Sequence, residues 1–310
     1  MTVMTPIVPA SGEPEFRASG TDLSERRRSG VSRGPLVDIV PTSGMTGIAW
    51  DAAGAARIGA STTIAAIASD ARLQAAYPGV AAAAGGLATP QIRHLATLGG
   101  NLAQRSRCWY YRNPHVACLK KGGSECPARD GNHLYGVVFD LGPCVAPHPS
   151  TMGTALLAYE GKTATNQRGD LSIEQLLGDG TSGAADHALQ PGEMIEAIHL
   201  APPLAGERAL YKRAISRAYA EWPLVEVVAR VVIARRAFQF VRLAAGGVAP
   251  VPIRLRAAEA AAQGALVAPE TIAAAARAAT DGAKPLPMTA YKLDLLKGLV
   301  QDLLEQCSSG

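Results

Sequence analysis

Residues 89–104, TPQIRHLATLGGNLAQ, combine a break at Pro90 with a glycine-rich turn at Gly99-Gly100-Asn101. Adjacent glycines let the backbone approach a phosphate closely, and the flanking Thr97 and Asn101 side chains can hydrogen-bond a sugar or a ring edge. The same pattern is also compatible with an ordinary structural turn, because short motif matches are often false positives. This stretch therefore makes residues 97–101 a candidate ligand loop.

Helix and strand patterns lie on both sides of this stretch. Residues 62–77 predict one helix, capped by Thr62 or Thr63 and ended by Pro78-Gly79. Further strand and helix patterns follow: strands at 35–40, 56–62 and 194–200, a helix leading to a strand at 148–162, strands at 224–234 and 238–249, and helices at 256–264, 269–280 and 291–306. Strands followed by helices after a boundary at 201–206 predict an α+β fold class.

Composition excludes several classes of protein. The 310 residues are 48% hydrophobic and 18% charged, which is typical of a globular protein with a large core. A net charge of +4 with no dense basic run gives no case for nucleic acid. No apolar run reaches the roughly 18–20 residues of a membrane span, and the N-terminus lacks a secretory signal pattern. We therefore expect a cytoplasmic protein, or a periplasmic one if a partner carries it there.

A second candidate loop, ASGTDL, occupies residues 18–23. Its glycine and threonine can present backbone N–H groups to a phosphate. Alone it is also compatible with an ordinary turn before a helix. Two such loops in one α/β-rich segment together favour a bound dinucleotide, since a diphosphate needs several donors.

Four of the five cysteines, Cys108, Cys118, Cys126 and Cys144, lie in one polar segment with the spacing C-x9-C-x7-C-x17-C. Clustered cysteines without a secretory signal favour a metal site over disulfides. The spacing lacks the close pairs of most zinc ribbons but does not itself name the metal. An iron–sulfur cluster, structural zinc and four unrelated thiols are the alternatives.

Several of these motifs occur in one order and resemble the FAD-binding subunits of the xanthine dehydrogenase and carbon monoxide dehydrogenase family of molybdenum hydroxylases. The resemblance runs from about residue 16 to residue 305 and includes residues 18–23, 89–104, 148–150, 211–228, 244–254 and 289–300. It implies a two-part FAD-binding domain of the vanillyl-alcohol-oxidase type at 1–204, with subdomains of about 1–56 and 57–204. A C-terminal α+β domain at 205–310 would follow.

The resemblance also implies which residues contact FAD. Carried over by motif, these are Ala18, Ser19, Gly20, Thr21, Asp22, Leu23, Arg28, Thr97, Gly99, Gly100, Asn101, Ser150, Lys212, Tyr219 and Trp222. Three features depart from the family pattern: a shorter leader, Ser19 in place of a glycine, and Thr151 in place of an aspartate. A flavin-free structural or assembly subunit, or a zinc-stabilised nucleotide-binding module, are the alternative functions.

The cysteine segment at 105–147 resembles an insertion found in a subset of the family, the aldehyde oxidoreductase type more than the hydroxybenzoyl-CoA reductase type. This resemblance implies that Cys108, Cys118, Cys126 and Cys144 bind a 4Fe-4S cluster. It also implies two partners, a large subunit with the molybdenum cofactor and a small subunit with two 2Fe-2S clusters, in a heterotrimer or its dimer. The chain would then pass electrons from iron–sulfur clusters through FAD to an acceptor.

Overall fold

The computed structural model describes residues 14–309, in which the strands form three sheets. The smallest sheet pairs β1 (Glu15–Arg17) with β2 (Leu36–Asp38) in parallel, and α1 (Leu23–Arg28) connects them. The predicted strand at 35–40 is thus confirmed, although it is short. The first 13 residues of the short leader lie outside the described residues.

The second sheet has five strands, all antiparallel to their neighbours. In spatial order they are β3 (Ile48–Trp50), β4 (Ala56–Gly59), β7 (Ile195–Leu200), β5 (Lys162–Thr165) and β6 (Leu171–Ser172). The helices of this part of the chain are α2 (Ile64–Ser69), α3 (Ala71–Ala76), α4 (Pro78–Gly86), α5 (Pro90–Leu95), α6 (Leu98–Leu102), α8 (Thr151–Ala158) and α9 (Ile173–Leu177). The predicted strands at 56–62 and 194–200, and the helix-to-strand pattern at 148–162, are confirmed.

The single helix predicted at 62–77 is wrong, because Asp70 divides it. Thr63 caps α2, as predicted, by accepting a hydrogen bond from the Ala66 N–H. The carboxylate of Asp70 accepts one from the Leu73 N–H at 2.7 Å and begins α3. Pro78 also begins a helix instead of ending one, since proline fits the first turn.

The third sheet is antiparallel and lies in the C-terminal part. Its strands are β8 (Glu207–Ala214), β9 (Val225–Ala234), β10 (Ala237–Gly246) and β11 (Ile253–Arg254), and its helices are α10 (Arg256–Ala262), α11 (Pro269–Ala278) and α12 (Tyr291–Ser309). The predicted strand pair and three helices are confirmed. Strand β8 was not predicted, because four of its eight residues, ERALYKRA, are charged and interrupt the alternation of apolar side chains.

The cysteine segment contains little regular structure, namely α7 (Trp109–Arg112) and a short 3-10 helix at Leu119–Lys121. Backbone hydrogen bonds attach its later part to the loop after β10: the Val138 and Phe139 N–H groups both donate to the Val248 carbonyl, at 2.8 and 3.0 Å. The segment is therefore an ordered part of the fold. Among residues 14–309, no helix has the length and apolar character needed to cross a membrane.

Candidate functional site

Two neighbouring cavities form a cleft between the N-terminal loops and the C-terminal sheet. The loop cavity, of about 240 Å³, is lined by both candidate loops, through Thr21, Asp22, Gly100 and Asn101. The aromatic cavity, of about 410 Å³, is lined by Trp109, Tyr110, Tyr135 and Trp222 together with Cys108, His148, Glu226 and Lys292. Five residues line both cavities: Arg107, Pro149, Glu221, Trp222 and Pro223.

The first loop makes a left-handed turn at Gly20, where φ is +76°. A side chain at Gly20 would place a Cβ only 2.8 Å from the Ser24 hydroxyl. Ser19 is exposed and does not carry the positive φ, so serine is tolerated where the family pattern has glycine. The amides of Gly20, Thr21 and Asp22 donate to no acceptor among residues 14–309. They remain available to a ligand.

The second loop differs from its prediction, because Gly99-Gly100-Asn101 lies inside helix α6 and is not a turn. Its amides are engaged within the protein: Leu98 N–H bonds the Thr62 carbonyl, Gly99 N–H the Ala60 carbonyl, and Gly100 N–H the hydroxyl of the capping Thr97. The expectation that the backbone amides of this loop bind a phosphate is therefore wrong.

Asn101 is the polar group that the second loop offers to the loop cavity. Its Oδ1 accepts hydrogen bonds from the Ser150 hydroxyl at 2.7 Å and from the Met152 N–H at 3.3 Å. These two bonds fix the amide, and its Nδ2 donates to no acceptor among the described residues. A hydroxyl or phosphate oxygen in the cavity would accept a hydrogen bond from this Nδ2 group.

Asp22 is surrounded by guanidinium groups. Arg26 from its own helix and Arg107 and Arg112 from the cysteine segment all contact its carboxylate, at 3.1, 3.1 and 2.7 Å. Burial alone would raise the pKa of Asp22, but the three positive charges outweigh burial and hold it below its usual value. Asp22 is thus ionised, and its carboxylate forms ion pairs with arginines of the protein.

Two buried polar atoms at the cleft have no hydrogen-bond partner among the described residues, Arg107 Nε and His148 Nε2. The Arg107 guanidinium lies over the Trp222 ring, 4.6 Å from its centroid, at the wall that both cavities share. Burial lowers the pKa of Arg107, and burial lowers the pKa of His148 to about 4. An unpartnered buried donor is costly unless a ligand supplies the acceptor. Sequence reasoning missed Arg107, and its only signal was its position beside Cys108.

The four cysteines of the segment are all free thiols. The Cys144 thiol is close enough to Cys126 to lower the pKa of Cys126 to about 5, and the Cys126 thiol raises the pKa of Cys144. Burial raises the pKa of Cys108, and the nearby Cys126 and Cys118 thiols raise it further. Among residues 14–309, no group of three or more His, Cys, Asp or Glu side chains is arranged to hold a metal ion. The structure thus joins one pair and places the other two thiols near it.

The remaining predicted residues lie in varied places. Ser150 is fully buried and caps α8, and Trp222 lines both cavities. The Lys212 ammonium pairs with Asp302 of α12 at 2.8 Å and lines neither cavity. Arg28 and Tyr219 are exposed and line neither, and Leu23 is buried in the core. Ala18 is half-buried beside Ser19.

Comparison with known proteins identifies the family. The sequence model described as "FAD binding domain in molybdopterin dehydrogenase" matches residues 6–203, and that of the "CO dehydrogenase flavoprotein C-terminal domain" matches residues 209–307. This chain belongs to the FAD-binding subunits of the molybdenum hydroxylase family. Its fold class and its role as an oxidoreductase subunit follow the predictions from sequence.

Individual relatives support the same family. The chain is 31% identical over 304 residues to the aldehyde oxidoreductase FAD-binding subunit PaoB of Escherichia coli, covering 94% of this chain and 91% of that protein. Carbon monoxide dehydrogenase from Hydrogenophaga pseudoflava shares the fold with a TM-score of 0.74 at 21% identity, over 96% of this chain and 89% of that one. Quinoline 2-oxidoreductase from Pseudomonas putida has a TM-score of 0.72 at 18% identity, over 97% and 91% of the two chains.

Proposed function

We propose that this chain binds FAD in the cleft and uses it to pass electrons from iron–sulfur centres to an acceptor. One observation carries the proposal: both candidate loops line the loop cavity, where the buried Nε of Arg107 has no acceptor among residues 14–309. A diphosphate brings the negative oxygens that these donors lack. When bound, the flavin ring supplies the redox chemistry, and the protein supplies its position and its electrostatic surroundings.

The residues of the cleft fit an FAD molecule. The free amides of Gly20, Thr21 and Asp22 would hold the diphosphate, and Asn101 Nδ2 would hold a hydroxyl of the ribityl chain. Trp222 presents a ring face at the wall between the cavities, against which a flat aromatic ring can stack. The other site residues implied by the resemblance stay predictions.

We also propose that Cys108, Cys118, Cys126 and Cys144 bind a 4Fe-4S cluster. Four soft thiolates from one segment are the donor set that this cluster needs. The Cys126 and Cys144 thiols lie close to each other. Cys118 and Cys126 are near enough to Cys108 to raise its pKa. Structural zinc is the alternative occupant, because four thiolates suit it equally.

The partners that we propose are a large subunit with the molybdenum cofactor and a small subunit with 2Fe-2S clusters. The similarity to an aldehyde oxidoreductase subunit supports an aldehyde as the substrate class of that assembly. The substrate would be oxidised on the large subunit and not in this chain. A division of this chain near residue 204 and a cytoplasmic location remain proposals.

The test is to purify the chain with its partner subunits without oxygen, and to assay flavin, iron, sulfide and zinc in the same sample. We expect one FAD and about four irons with matching sulfide per chain, as for one cubane cluster. Zinc without sulfide would replace the cluster proposal by the zinc one. A folded chain with neither flavin nor metal would support the flavin-free assembly subunit instead.

A further inference from the structure

The cysteine segment holds the first candidate loop through an arginine clamp, which consists of Arg105, Arg107 and Arg112. Arg112 Nη2 and Arg107 Nη2 lie 2.7 and 3.1 Å from Asp22 Oδ1, and the Arg105 backbone N–H donates to Asp22 Oδ2 at 3.1 Å. Arg107 and Arg112 also pair with Glu25, one turn along α1. These contacts join positions more than 80 residues apart in the chain.

Burial makes the arginine clamp more costly to break than ordinary surface ion pairs. The side chains of Arg112, Arg107 and Asp22 are only 11%, 22% and 13% exposed. Exposed pairs contribute little because water screens them, whereas removing one member of a largely buried network leaves a charge without its partner. Asp22 also belongs to the loop whose amides are free. The arginine clamp therefore positions that loop.

Cys108, a proposed cluster ligand, lies in the chain between Arg107 and Arg112 of the arginine clamp. Its carbonyl accepts the Arg112 N–H at 2.9 Å, and the Arg112 side chain is anchored on the Ser106 carbonyl at 2.8 Å. Cys108 also precedes α7, the short helix that carries Arg112. A cluster bound to Cys108 would fix this segment, and with it the directions of Arg107 and Arg112.

We propose that Arg112 is a positioning residue that couples cluster assembly to flavin binding. A bound cluster stabilises the segment through Cys108, the arginine clamp holds Asp22 more firmly, and the amides beside Asp22 keep the geometry that receives the diphosphate. Thermodynamic linkage makes the coupling reciprocal, so bound FAD also stabilises the cluster. This inference rests on the proposed function, because it requires both cofactors.

The experiment measures the FAD dissociation constant by flavin fluorescence in the complete complex after its flavin has been removed. The forms compared are wild type, wild type with iron removed by a chelator, Cys126→Ser, Arg112→Gln, Arg112→Lys, and Cys126→Ser with Arg112→Gln. The control is Arg242→Gln, which breaks an arginine–carboxylate pair with Glu160 outside the cleft. Thermal midpoints of all forms check that the fold is kept.

Loss of the cluster or of Arg112 should each weaken FAD binding by about 5–150-fold, the usual range of coupling between two sites. The double variant should bind FAD as tightly as the single variant with the lower FAD affinity, because both changes act through one contact. Arg112→Lys should recover part of the affinity, and Arg242→Gln should retain all of it. Iron should also be lost faster from the FAD-free complex.

Equal FAD affinity with and without iron in the wild type would overturn the inference, and so would additive effects in the double variant. The wild-type comparison decides the matter even if a variant fails to fold. A wild-type complex that binds no FAD or no iron would instead refute the proposed function. The two failures are therefore distinguishable.

Discussion

At the scale of single residues, the fully buried carboxylate of Glu226 explains why Thr151 replaces the aspartate of the family pattern. Glu226 accepts hydrogen bonds from the hydroxyls of Thr151, Thr154 and Tyr211, at 2.9, 3.0 and 2.8 Å. Burial raises the pKa of Glu226 despite these donors. A second carboxylate at position 151 would meet Glu226 at contact distance without any donor between them.

The first prediction therefore concerns Thr151→Asp. It should destabilise the protein by about 3 kcal/mol, because it removes a donor and adds a like charge to a buried site. Adding Glu226→Gln should recover most of the loss, since the glutamine amide donates to the new carboxylate. Urea denaturation of the two variants and of Glu226→Gln alone measures this. A tolerated Thr151→Asp, or no recovery in the double variant, would contradict the argument.

The second prediction concerns Lys292, whose Nζ donates to the Gly247 and Tyr135 carbonyls at the wall of the aromatic cavity. Burial lowers the pKa of Lys292 to about 7 from 10.5. Between these values the unfolded chain binds a proton that the folded chain does not, so stability should rise as pH increases from 7 towards 10. Lys292→Met should flatten this part of the profile. Parallel pH profiles of wild type and variant would show that Lys292 stays charged in the fold.

Local patterns predict only those site residues whose role is local. The turn at Gly20 follows from residue type, and so does the proposed set of four cysteine ligands, which stays a prediction. Glu226 and Arg107 do not, because their contacts with Thr151 and Asp22 join segments that only the tertiary fold brings together. The unpaired Nε of Arg107 is likewise a property of burial and not of sequence.

At the scale of elements, helix α6 depends on glycine for its close packing on the strand end at Ala60. An added Cβ at Gly99 would lie 3.0 Å from the Ala60 Cβ and 3.3 Å from its carbonyl oxygen. Gly99 N–H donates to that same carbonyl at 2.8 Å. The helix therefore places Asn101 in the loop cavity only while position 99 lacks a side chain.

The third prediction compares Gly99→Ala with Gly85→Ala. Gly99→Ala should destabilise by about 1–3 kcal/mol through overpacking, and should weaken FAD binding by displacing Asn101. Gly85 in α4 is the matched control, because its added Cβ would meet its nearest atom at an ordinary 3.8 Å. There alanine should be neutral or stabilise by up to about 1 kcal/mol, its advantage in helix propensity. Denaturation and FAD titration of both variants test this, and equal effects would refute the packing argument.

Elements were predictable where periodicity extends far enough, as in β9, β10 and α12. Element bounds were not predictable where a side chain competes for the hydrogen bonds of the helix backbone. Asp70 ends one helix and begins the next by accepting the Leu73 N–H, although the apolar spacing continues through it. The reverse occurs at Gly99 and Gly100, which suggest a turn by residue type but are held in a helix by the Thr97 cap and the Ala60 contact.

At the scale of the whole molecule, the order of the motifs predicted the family and the α+β class, but not how the two parts pack. The larger hydrophobic core contains helices α2, α4 and α8 together with side chains of the C-terminal part, namely Ala209, Val228 and Ala244 of the sheet and Val251 of the loop after β10. Arg230 of β9 adds a buried hydrogen bond to the Ala158 carbonyl of α8 at 2.9 Å. The two family models meet near residue 204, but the larger hydrophobic core contains residues from both sides of this boundary.

The fourth prediction follows from this shared core. A fragment of residues 1–204 should lack a cooperative thermal transition, because truncation exposes the apolar surface that Val228 and its neighbours cover. The full chain should unfold in one transition by calorimetry and by circular dichroism. Co-expression of 1–204 and 205–310 as separate chains should recover that transition, since the core can reassemble without the peptide link. A sharp transition in the isolated fragment would instead mean that the N-terminal part folds independently, and that the C-terminal sheet only docks on it.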